Sequence, residues 1–138
     1  MLINKILAGV STAILGVLIA AVPNFTPLQI CELCQRMAMK CSWAAKAEFG
    51  VGVLILFLSI LLIFSESRDV RLGVSAALGM VGILSTLIAK VLIGFCAGDC
   101  CSGCTCSPLT PPVMTGLGIA VAVIAFINVI YLLQKKNT

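Results

Sequence analysis

Residues 113–133, VMTGLGIAVAVIAFINVIYLL, decide how the chain is read. As a helix they reach about 30 Å, the depth of a bilayer's hydrocarbon core. Asn128 is their only strongly polar residue. Three further apolar blocks follow the same pattern, without the charged face of an amphipathic helix. Spans are expected at about residues 6–22, 47–64, 72–95 and 112–133, with outer loops at 23–46 and 96–111. The expected fold is an all-α membrane protein, a four-helix transmembrane bundle with two cysteine-rich extracytoplasmic loops, built as one domain over residues 1–138. Composition agrees: 61% hydrophobic residues, 10% charged residues and a mean hydropathy of +1.20 do not suit a soluble globule.

The breaks between blocks carry the punctuation. Pro108, Pro111 and Pro112 stop any helix before residue 113 and start the last one, with proline in a favoured first-turn position. Pro23 and Pro27 end the first block. That block follows Lys5 as a signal peptide would, with Ala20 and Ala21 as a small-residue cleavage region. Its apolar core exceeds the roughly 7–15 residues of a signal sequence, so an uncleaved first helix is expected. No internal repeat is evident.

Four crossings put both termini on one side and both cysteine segments on the other. The terminal side holds Lys5, Arg68, Arg71, Lys135 and Lys136. The cysteine side holds Arg36, Lys40 and Lys46, with Lys90 close to it. The excess of basic residues places the termini in the cytoplasm and the cysteines in an oxidising compartment. The formal charge of +4 flanks the apolar blocks instead of forming a stripe, so nucleic acid is not an expected partner; the bilayer is.

All eight cysteines lie in the polar breaks, and the chain has no histidine. One group is Cys31, Cys34 and Cys41 in CELCQRMAMKC; the other is Cys96, Cys100, Cys101, Cys104 and Cys106 in FCAGDCCSGCTCSP. Three chemistries stay open, and with them whether the chain is an enzyme. The first is structural. A short loop in water builds no core of its own, so disulfides close it, and the protein serves as a non-catalytic accessory subunit beside another membrane protein. Adjacent Cys100 and Cys101 then need different partners, among on the order of 100 possible connectivities. The second is thiol–disulfide exchange. Cys31 and Cys34 form a Cys-x-x-Cys pair followed by Arg36 and Lys40, and nearby cations favour the nucleophilic thiolate. The third is a soft-metal site for Cu(I) or Zn, using thiolates with Met37 and Met39.

Two ionisable residues lie near the membrane-side ends of apolar blocks. Glu48 and Lys90 either pair across the bundle or reach water. Gly50, Gly52, Gly73, Gly79, Gly82, Gly116 and Gly118 are expected to admit close helix packing, and Asn128 to hydrogen-bond across the bundle.

Several of these stretches resemble a bacterial family of short four-span membrane proteins known as a domain of unknown function. Its Met-Lys-Cys-His stretch before Gln/Lys-Ala-Glu-x-Gly-x-Gly is similar to Met39-Lys40-Cys41-Ser42 leading into Lys46-Ala47-Glu48-Phe49-Gly50-Val51-Gly52, with Ser42 at the family's histidine. Its Leu-Ile-Gly-x-Cys and Asn-x-Ile-Tyr-Leu-Leu stretches resemble residues 92–96 and 128–133. The resemblance implies a four-span protein of the bacterial cytoplasmic membrane and no stated activity. Cys31-Glu32-Leu33-Cys34-Gln35-Arg36 also resembles the cysteine loop of membrane disulfide oxidases coupled to quinone, with two residues fewer before Gln-Arg. That resemblance implies quinone as cofactor, Cys31 and Cys34 as the reactive pair and Arg36 as the quinone's neighbour.

Overall fold

A computed structural model describes residues 2–24, 36, 40–93, 98–101, 104–106 and 109–134. For Leu2, Asn4, Lys5, Lys40, Cys41 and residues 98–101 and 104–106, it describes backbone alone. Helix α1 is Leu2–Ala21, α2 is Lys40–Phe64, α3 is Arg68–Leu87 and α4 is Thr110–Gln134. A 3-10 turn, Val22–Asn24, closes α1 at Pro23, where the missing N–H ends the ladder. A π turn, Ile88–Leu92, continues α3. Two short antiparallel strands, β1 (Gly98–Cys101) and β2 (Cys104–Cys106), lie within the stretch expected to be only a loop.

Four segments are long and apolar enough to cross a membrane: Ile6–Asn24, Ser42–Phe64, Arg68–Leu92 and Thr110–Gln134. The chain is therefore a multi-pass membrane protein. Helix α2 begins before the apolar run at residue 47, because Ala44-Ala45-Lys46-Ala47 are good helix formers and Lys46 stays exposed. Helix α3 begins at Arg68, and its guanidinium donates to the Leu132 carbonyl, one of the orphan acceptors at the end of α4. Pro111 sits in the first turn of α4 and accepts from Thr115 Oγ1 at 2.8 Å through its carbonyl.

The helices pack most extensively as two antiparallel hairpins, α1 with α2 and α3 with α4. Each hairpin closes on a glycine seam. A Cβ on Gly52 would meet Ala20 N and Gly16 O at 2.7 Å. A Cβ on Gly82 would meet Ala122 N at 2.8 Å, and one on Gly118 would meet Gly82 O at 3.0 Å. Such close backbone approach is the usual way apolar helices associate in lipid, where burial of apolar surface gives no preference for a neighbour. Among the described residues, Gly50, Gly73 and Gly116 have no such neighbour within 4 Å.

The two seams are copies of each other. Gly82 follows Gly16 by 66 positions, and Gly118 follows Gly52 by the same 66. Helix α1, Leu2–Ala21, moved by that offset becomes α3, Arg68–Leu87. Gly16 opposes Leu56 N as Gly82 opposes Ala122 N, and Gly52 opposes Ala20 N as Gly118 opposes Thr86 N. Burial follows: Gly9, Thr12, Gly16 and Ile19 of α1 and Val22 of its 3-10 turn are buried, as are Ser75, Leu78, Gly82 and Ser85 of α3 and Ile88 of its π turn. No repeat is evident in the residue identities, as expected; the correspondence is one of glycine contacts and burial. The chain is a tandem pair of helical hairpins running the same way through the bundle. Few residues are identical at that offset, because what repeats is size and burial.

Many large apolar side chains, such as Ile14, Phe57, Phe126 and Ile127, point outward, while glycines and hydroxyl residues share the interior with an apolar core that includes Ile55, Leu62, Leu78 and Val121. That distribution suits a lipid solvent.

Candidate functional site

Placing one hairpin on the other makes their differences visible, and the sharpest one is buried. Ile19, Glu48, Ser85 and Met114 come one from each helix, and all four are 0% exposed. At the 66-residue offset Ile19 corresponds to Ser85, and Glu48 to Met114. The α2–α3 side therefore holds an acid and a hydroxyl where the α1–α4 side holds two apolar side chains.

Ser85 Oγ donates to Glu48 Oε2 at 2.7 Å. Glu48 Oε1 is buried and has no hydrogen-bond partner among the described residues. A serine carries one proton, so it satisfies one carboxyl oxygen and leaves the other to some further group. Glu48 lies six residues from Ser42 at the cysteine end of its span, about 9 Å along the helix. Ser85 lies seven residues from Leu92 at the same end of its own span, about 10 Å along. The pair therefore sits in the third of the bundle beneath the cysteine segments.

Of the two alternatives for Glu48 and Lys90, pairing with each other is not the contact described: Glu48 bonds Ser85, and Lys90 is exposed on the π turn, in line with the alternative that it reaches water. Lys46 is exposed as well, with its Nζ 5.2 Å from the centre of the Trp43 ring, a cation–π contact at the membrane edge. Arg36 is exposed. Cys31, Cys34 and Cys96 lie outside the described residues, as do Met37 and Met39, so the pairing, redox and metal expectations that use them lie there too. In the hairpin, Gly98 pairs with Cys106, Asp99 with Thr105 and Cys101 with Cys104, and the register shifts between Asp99 and Cys101.

Two more polar links tie helices within each hairpin. Ser59 Oγ donates to Thr12 Oγ1 at 2.9 Å between α2 and α1. Asn128 Nδ2 donates to Ser75 Oγ at 2.7 Å between α4 and α3, the cross-bundle bond expected of Asn128. Sequence reasoning missed Ser85, Ser75, Ser59 and Thr12. Each is a hydroxyl in an apolar block, where bonding to its own helix backbone, as Thr12 does to the Ala8 carbonyl and Ser59 to the Ile55 carbonyl, is the ordinary expectation, and only its helix-facing register sets it apart.

The model of a family described as a domain of unknown function (DUF4418) matches residues 12–131, from within α1 to near the end of α4. No curated protein and no solved structure matches the chain.

Proposed function

The chain belongs to the DUF4418 family, and from that premise we propose a non-catalytic membrane protein whose two cysteine segments are closed by disulfides on the extracytoplasmic side. In this reading the termini are cytoplasmic, the bilayer is that of the bacterial cytoplasmic membrane, and the protein serves as an accessory subunit of a larger membrane assembly. One observation supports it most: Cys101 and Cys104 are opposed Cα partners where β1 and β2 pair. Opposed positions in an antiparallel pair stand about 4.5–5.5 Å apart at Cα, inside the roughly 4.4–6.8 Å that a disulfide spans. A two-stranded ribbon is marginal in water without such a link.

Differential alkylation with mass spectrometry at graded glutathione potentials tests the reading. Pairs that stay oxidised below about −300 mV act as staples. Titration of Cys31 and Cys34 near about −200 mV, with the other pairs holding, makes quinone-coupled thiol–disulfide exchange the better reading. Stoichiometric Cu(I) or Zn on protein purified under reducing conditions makes it a soft-metal protein.

A further inference from the structure

We infer that Glu48, held by Ser85, is a proton-binding site inside the bundle that exchanges with water at the cysteine end. The first support is the geometry of the acid. Glu48 is fully buried, one oxygen accepts from Ser85, and the other has no partner among the described residues. A buried carboxyl oxygen without a donor is costly, and an isolated charge there more so.

The second support is the set of groups that face it. Apart from Lys5 at the far end of α1, residues 6–24 of α1 and its 3-10 turn and residues 110–134 of α4 carry no charge. On α3 the charged residues are Arg68, Asp69 and Arg71 at the far end and Lys90 on the π turn, where it is exposed. On α2 itself Lys40 is the first residue, eight positions before Glu48, and Lys46 is exposed against Trp43. No described cation meets Oε1, so a proton on the carboxyl is the counter-charge that fits the space.

The third support is the internal repeat. Met114 and Ile19 fill the equivalent positions with full burial, so the bundle can be packed there without an acid or a hydroxyl. Ionisable groups inside a membrane bundle mark function by default, and repeat interfaces are where such groups gather. The backbone departs from the repeat on the same side and at the same end. Where α1 closes in a 3-10 turn at Val22–Asn24, α3 opens into a π turn at Ile88–Leu92, three residues beyond Ser85. Single π turns recur at functional sites. The buried hydroxyl residues Ser42 and Thr110 stand between this level and the cysteine end. The exchange is a simple addition: a proton from water joins the Glu48 carboxylate, and the same proton returns when the group releases it.

Infrared difference spectroscopy on the full chain in lipid nanodiscs, between mildly acidic and mildly alkaline buffer, reads the site directly. The expected result is a protonated-carboxyl C=O band that disappears in Glu48→Gln, shifts in Ser85→Ala and moves on transfer to D2O. Glu48→Met, which copies the equivalent Met114, should also lose the band while remaining folded, so loss by misfolding is distinguished from loss of the group. Dicyclohexylcarbodiimide, which attacks protonated carboxyls in apolar surroundings, should label Glu48 in the wild type and label it less in alkaline buffer. A carboxylate band at every pH, a band indifferent to D2O, or labelling at other carboxyls but not Glu48 would overturn the proposal.

Discussion

The two hairpins solve one packing problem twice and differ in what they put at one level. Both bury a glycine of the first helix against a glycine of the second, with the same backbone atoms in contact at a 66-residue offset. Both bury their cysteine-end layer completely. In that layer Ile19 and Met114 meet the bundle with methyl groups, while Ser85 and Glu48 meet it with a hydrogen bond and an oxygen left over. The comparison separates what the fold requires from what it merely accommodates. Small residues at the seam are required in both copies. The acid is present in one copy only, at the junction between hairpins, and packing does not explain it.

The largest effect should come from the seam. Gly52→Leu places a side chain where even a Cβ meets backbone at 2.7 Å, and backbone cannot step aside cheaply. The cost should reach or exceed the upper end of about 1–3 kcal/mol, read by thermal unfolding in detergent micelles. Gly82→Leu should do the same in the second hairpin, since its nearest neighbour is Ala122 N at 2.8 Å. Tolerance of one but not the other would break the equivalence of the two copies.

Ser85→Ala comes next. It removes the only described donor to Glu48 and leaves both carboxyl oxygens buried, which should cost about 1–3 kcal/mol. Ile19→Ala at the equivalent position removes buried methyl groups instead, so its loss should follow cavity size and be indifferent to Glu48→Gln. A double-mutant cycle separates the two cases.

The intrahairpin links should matter less. Asn128→Leu breaks the bond to Ser75 Oγ, and Ser59→Ala breaks the bond to Thr12 Oγ1. Interhelical hydrogen bonds in lipid average about 0.6 kcal/mol, because the separated helices find other partners. Similar small losses in both variants would sharpen the comparison. The smallest effect belongs to Gly116→Ala and Gly50→Ala, where nothing stands within 4 Å and the gain in helix propensity is at most about 1 kcal/mol.

Much of the architecture is legible in the sequence, because a bilayer imposes both length and hydropathy. Residues 113–133 and the three blocks before them announce helices that cross a membrane. Helix starts are less legible. Lys46 looks like a flank, yet α2 runs through it, since a long cation at a membrane edge reaches water without ending a helix; Arg68 starts α3 four residues before the expected span and bonds the Leu132 carbonyl. The repeat is hidden because lipid-facing positions interchange freely among apolar residues: Val53 and Ile119, or Phe57 and Val123, answer to the same demand. Glu48 stands out in the sequence by its charge, but Ser85 does not, and a carboxyl without its partner gives no site. The pairing with Lys90 looks reasonable in sequence because both lie near the ends of apolar blocks. It fails because Lys90 rides the π turn to the exterior while Ser85 keeps the interior register.

The most direct test of the two-copy account is to make the copies alike. Glu48→Met with Ser85→Ile installs on the α2–α3 side the two residues that already pack on the α4–α1 side. Thermal unfolding of the double variant and both single variants gives the coupling between the positions. The account predicts singles that lose stability and a double at or above the wild type, with a favourable coupling of about 1–3 kcal/mol. A double variant no more stable than the sum of its singles would mean that the two sides of the bundle are not equivalent, and would contradict the account.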